Sequence, residues 1–131
     1  MHTVASIIDI HARCHRSFAT LLDHCREFEA GEVQRELPGF GYATVHAQLH
    51  HALGAERYWV GVLEGRIIID DDAEAYPTVV DLERLRGDVF AATEAFLAGC
   101  DEAGLNAPRP VRTWRGDDLL LAPAPVVLRT Q

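Results

Sequence analysis

Apolar residues recur along the first stretch of the chain at alternating steps of four and three, at Ile7, Cys14, Phe18, Leu21, Cys25 and Phe28, with His11 on the same row. That spacing predicts a long helix over about 4–29 with one face toward a core. Pro38-Gly39-Phe40-Gly41 breaks the backbone, and Phe40 is expected to tuck under the start of the next helix. A second row follows at Tyr42, Val45, Leu49, Ala52, Trp59 and Leu63, ended by Gly65, and predicts a helix over 42–64. One acid, Glu56, lies on that row. Ile67, Ile68 and Ile69 read as a short extended piece over the end of the bundle. Thr78 with Asp81 three positions on resembles a capping box and opens a third helix, with Leu82, Leu85, Val89, Phe96 and Cys100 on its core face and its end at Gly104. Residues 111–121, with a turn at Gly116-Asp117, form a small hairpin or an irregular arm. Pro125 then suits the first position of a short fourth helix.

The fold class this gives is all-α: three long antiparallel helices, an irregular C-terminal arm and a truncated fourth helix, in a single domain over 1–131. Such a bundle leaves a groove uncovered, and an apolar groove of that size favours association, so a homodimer is expected.

Composition narrows the choice of partners. With 131 residues, 48% of them hydrophobic, the chain is large enough to bury a core. A net charge of −8 argues against nucleic acid, whose affinity is built on Lys and Arg, and against anionic membrane surfaces. No apolar run has the length that spans a bilayer. The N-terminus lacks the pattern of a secretory signal, so a cytoplasmic location is expected. Cys14, Cys25 and Cys100 are an odd count without a close pair and read as small buried hydrophobes.

Candidate chemistry lies with the histidines. His11 and His15 are spaced to share a metal on one helix face, yet no third ligand follows from spacing, and hydrogen-bonded core histidines are the better reading of that pair. Asp70, Asp71 and Asp72 lack the spaced oxygens of a calcium loop and read as a solvated connection. His46, His50 and His51 cluster in the second helix. His51 shares a stripe with Thr44, Gln48, Ala55 and Tyr58, which leaves room for an ion or substrate. His50, rotated by about 100° from it, is expected at a helix edge or in solvent.

The run Phe40-Gly41-Tyr42 followed by Leu49-His50-His51-Ala52-Leu53-Gly54-Ala55-Glu56-Arg57-Tyr58-Trp59 is similar to the second-helix motif of the DinB/YfiT-like family, and the order of elements along the chain resembles that family as well. The resemblance implies a four-helix bundle of up-down-down-up connectivity, often dimeric, that hosts metal-dependent enzymes such as thiol S-transferases. It also implies a divalent metal, zinc or nickel, held by three histidines. One corresponds to His51; the other two belong to a fourth-helix His-x-x-x-His pair, and no histidine follows His51 here. The functional expectation is therefore a DinB-like metal-dependent enzyme, a thiol S-transferase or hydrolase-like protein acting on a small-molecule or thiol substrate, with Tyr58 or Glu56 lining the pocket and the metal site incomplete. The alternative is a non-catalytic helical module that binds a partner helix or a small apolar ligand.

Overall fold

The computed structural model describes residues 1–29 and 31–131. Five helices stand among these residues: α1 (Val4–Cys25), α2 (Val45–Glu64), α3 (Val79–Ala98), α4 (Glu102–Asn106) and α5 (Pro123–Arg129). A hairpin of β1 (Arg109–Arg112) and β2 (Asp118–Leu121) precedes α5, with Arg109 opposite Leu121 and Gly116 at φ 86° in the turn. Among the described residues, no helix is long and apolar enough to cross a membrane.

Each long helix starts where a threonine can satisfy the free amides of its first turn. Thr3 forms a capping box with Ser6, Thr44 accepts from the amide of Ala47, and Thr78 forms a capping box with Asp81. Gly65, at φ 74°, ends α2 in the left-handed conformation that glycine adopts without a Cβ penalty.

The core clusters fix the directions of the helices. Ile7 at the start of α1 packs with Leu97 at the end of α3, and Leu22 near the end of α1 packs with Leu49 and Leu82 at the starts of α2 and α3. Further along, Leu53 meets Leu85 and Val89, and Val62 packs against Phe96. Hence α2 and α3 run the same way, and α1 runs against both. The three long helices are thus not mutually antiparallel as the periodicity suggested; the 65–78 connection runs back along the bundle instead of making a tight turn. Within α5, Ala124 and Val127 pack on Ile7 and Val126 packs on Val62, while Gln131 reaches Glu56. This last helix therefore runs with α1.

Several expected details differ. In α1 the buried positions are Ile7, His11, His15, Leu22 and Cys25, so Leu21 is exposed and Leu22 takes the core place. The helix ends at Cys25, short of the expected 29. Ala30 lies outside the described residues, and Gly31 after it has φ 88°. Phe40 is 60% exposed and does not tuck under α2, and Ala52 is exposed as well. The third helix stops at Ala98, because Asp101 caps a separate α4 by accepting from the amide of Gly104. The arm after it is ordered as a hairpin, and α5 opens at Pro123 with Pro125 inside its first turn. Of the cysteines, Cys25 is buried while Cys14 and Cys100 are half-buried.

Residues 66–70 do not cover the bundle end. They fold back along α2, and two glycines on that helix make room for them. A Cβ at Gly61 would stand 2.3 Å from the carbonyl oxygen of Arg66, and one at Gly54 would stand 3.0 Å from that of Asp70. The amide of Arg66 donates to the carbonyl of Gly61 at 2.7 Å, so helix and loop are fixed in contact. A methyl group at Gly61 cannot be accommodated without moving backbone. Gly61→Ala is expected to lower stability by about 1–3 kcal/mol, read from urea denaturation, although alanine is the better helix former.

Candidate metal centre

The best-defined polar site lies inside the bundle. Glu56, 3% exposed, projects from α2 between α1 and α3. Its Oε1 accepts from His11 Nε2 at 2.7 Å and from the Thr93 hydroxyl at 2.7 Å; its Oε2 accepts from His15 Nε2 at 2.9 Å and from the Gln131 amide nitrogen at 3.3 Å. A carboxylate offers about four lone-pair sites, and all four have a donor here. Burial by itself pushes the Glu56 carboxyl up, but the hydrogen bonds from His11, His15 and Thr93 outweigh it and bring it down to about 2.

An ionised carboxylate can only accept, so both imidazoles present Nε2–H to it. At His15 the Arg86 guanidinium approaches Nδ1 at 3.4 Å and can only donate, which agrees with that tautomer. Arg86 is itself held by two bonds to Glu83 Oε1, at 2.9 and 2.7 Å. His11 is fully buried and lies flat on the Phe90 ring, with centroids 5.1 Å apart and planes 5° apart; its Nδ1 has no partner among the described residues. A cavity of about 90 Å³ abuts the cluster, lined by His15, Glu56 and Gln131 together with Cys14, Phe18 and Leu53.

Nitrogen and oxygen atoms of His11, His15 and Glu56 all lie within 4.8 Å of one another, so this buried group could hold a metal ion. Two imidazoles one helical turn apart plus a carboxylate from a second helix is a three-ligand donor set that leaves a position open. The present separations of 2.7 and 2.9 Å are hydrogen bonds; ligands around one ion at about 2.1 Å stand roughly 3.4 Å apart, so loading needs only a small opening. Loading also requires each imidazole to move its proton from Nε2 to Nδ1. Arg86, a donor at that edge of His15, opposes this shift.

His51, the ligand position suggested by the motif, stands apart from this cluster. It is exposed and stacked on Tyr42, with centroids 4.1 Å apart. His50 is buried rather than exposed, since the returning loop covers it: its Nε2 is 3.0 Å from Asp70 Oδ1, and Asp70 also accepts from the Tyr76 hydroxyl at 2.7 Å. This contact with Asp70, with burial behind it, pushes the Tyr76 hydroxyl up. Asp70 is therefore no solvated linker residue but the clamp of the 65–78 connection. His46 is likewise structural, bonding the Tyr76 carbonyl at 2.6 Å, and His24 is at the surface.

Thr93 and Gln131 went unnoticed in the sequence. Thr93 carries a usable signal, because it interrupts the apolar row of Val89 and Leu97 at a spacing of four, where only a bonded polar group is tolerated. The chain matches no protein-family model and no curated protein sequence.

Proposed function

We propose that the chain is a metal-dependent enzyme of the DinB/YfiT-like type whose ion is held by His11, His15 and Glu56, and that it acts on a thiol or a water at the adjoining cavity. The observation that carries this reading is the convergence of two imidazoles and a carboxylate from two helices, with His15 and Glu56 of that group lining the cavity. A bound divalent ion supplies Lewis acidity, which lowers the pKa of a water or thiol enough for it to act as a nucleophile at neutral pH. Thr93 and Gln131 orient the Glu56 carboxylate, one on each oxygen. Phe90 fixes the plane of the His11 ring. Phe18 and Leu53 keep the cavity largely apolar, and at about 90 Å³ it admits only a small group, such as a thiol head or a few waters.

Nitrogen-15 spectra of the imidazoles test the assignment. In the metal-free protein both His11 and His15 carry the proton on Nε2. On addition of zinc or nickel, the proton is expected on Nδ1 of each, with Nε2 shifted by coordination. Arg86→Gln removes a donor and a positive charge and offers His15 Nδ1–H a carbonyl acceptor, so it is expected to tighten zinc binding by about tenfold, the lower end of what outer hydrogen-bond partners contribute. Unchanged tautomers on zinc addition would remove the basis for the reading.

A second reading is favoured by the complete set of donors on Glu56. A carboxylate so satisfied is stable without an ion, and the chain is then a non-catalytic module. In that case the groove lined by Arg13, Cys14, Ser17, Phe18 and Leu21 is where a partner helix or a small apolar ligand would bind.

A further inference from the structure

Both tryptophans of the chain and two of its three tyrosines converge on one open cavity of about 460 Å³. Tyr42, Tyr58, Trp59 and Trp114 line it together with His51, on which Tyr42 is stacked, and Asp70 and Asp71 belong to the same lining. Glu56 does not line this cavity, so it is separate from the metal centre. Besides Tyr42, which precedes α2, its walls come from three parts of the fold. The α2 helix carries Tyr58 and Trp59, set edge to face with centroids 5.2 Å apart. The hairpin turn carries Trp114, whose backbone amide donates to the Tyr58 hydroxyl at 3.2 Å. The returning loop carries the aspartates and is clamped to α2 through Asp70.

Packing on the Val62 core cluster accounts for Tyr58 and Trp59 but not for Trp114, which remains 58% exposed, or for Tyr42, 46% exposed and stacked on His51. Electrostatics does. Aromatic faces carry negative quadrupole potential and attract cations, most strongly at tryptophan. The Trp114 face already takes one, the Arg115 guanidinium, 5.4 Å from the ring centroid. Asp70 is engaged by His50, Tyr76 and, at 3.5 Å, Arg57, whereas Asp71 has no ion pair or hydrogen bond among the described residues. An unpaired carboxylate beside four aromatic rings repels anions and gains nothing from a neutral apolar guest.

We infer that this cavity binds a small organic ammonium ion, with the aromatic rings packed around its alkyl groups and Asp71 balancing its charge. The inference stands independently of the metal centre. Trp59 and Trp114 are the only two tryptophans in the chain, so intrinsic fluorescence reports on the cavity directly. Titration with choline is expected to give a saturable change. The neutral analogue 3,3-dimethylbutan-1-ol, of the same shape, is expected to bind at least about tenfold more weakly. Asp71→Asn and Trp114→Ala, both at exposed positions that leave the core untouched, are each expected to weaken choline by about threefold or more, and a chelator is expected to leave its affinity unchanged. No saturable change, or equal affinity for choline and the alcohol, would overturn the inference; so would an affinity that vanishes with the chelator.

Discussion

Glu56→Ala is expected to cost about 3–5 kcal/mol in urea denaturation, the largest effect of any single substitution considered. The reason is what remains after the carboxylate is gone. His11, His15, Thr93 and Gln131 all direct donors at its two oxygens, and His11 and Thr93 are too deeply buried to turn to water. Unpaired buried donors cost about 1–3 kcal/mol each, and the vacated space adds to that cost. Because small domains are stable by only about 5–15 kcal/mol, the variant is expected to be close to unfolding. Thr93→Val, which removes one donor and leaves the carboxylate three others, is expected to cost about 1–2 kcal/mol. A loss below about 1 kcal/mol for Glu56→Ala would show that the polar hub is not what specifies the packing of α1, α2 and α3.

Acid is the second large lever on the same residue. The Glu56 carboxyl sits at about 2 in the folded chain, against an ordinary value of 4.5. A depressed folded value means that the folded state holds the ionised form more tightly than the unfolded chain does. The resulting stabilisation is fully present above pH 4.5, declines as pH falls between 4.5 and 2, and is gone below the folded value. At 1.36 kcal/mol per pH unit the difference amounts to roughly 3 kcal/mol. In metal-free protein, stability measured at intervals from pH 6 down to pH 2 is therefore expected to fall about 3 kcal/mol further than in Glu56→Gln, which cannot ionise at that position. Parallel curves for the two proteins would contradict the assignment of Glu56 as an anion held by its donors.

Much of the fold was legible because it is written in local chemistry. The threonine cap at Thr78, the glycine stop at Gly65 and the apolar periodicity of the long helices each act over one or two turns, where sequence spacing is geometry, whereas Thr44, read as lying inside the second helix, is in fact its cap. The course of the 65–78 connection was not legible. It depends on Gly54 and Gly61 letting a distant backbone lie against α2, and glycine in a helix signals a close approach without saying of what. That loop inverts the histidine pattern of α2: it buries His50 against Asp70 and leaves His51 outside, although the two differ only by one helical step.

The buried hub was half legible. Glu56 on an apolar row and the His11/His15 pair could each be seen, but joining them required knowing that α1 and α2 face one another at that level. The His51 position was suggested by a motif, and a motif transfers a residue without its neighbours.

The most direct measurement of the account is metal content per chain after exposure to zinc or nickel and exhaustive dialysis, compared among wild type, His15→Ala and His51→Ala. One ion per chain is expected in the wild type and in His51→Ala, and none in His15→Ala. An ion retained in His15→Ala but lost in His51→Ala, or no ion in any of the three, would contradict the placement of the metal at His11, His15 and Glu56.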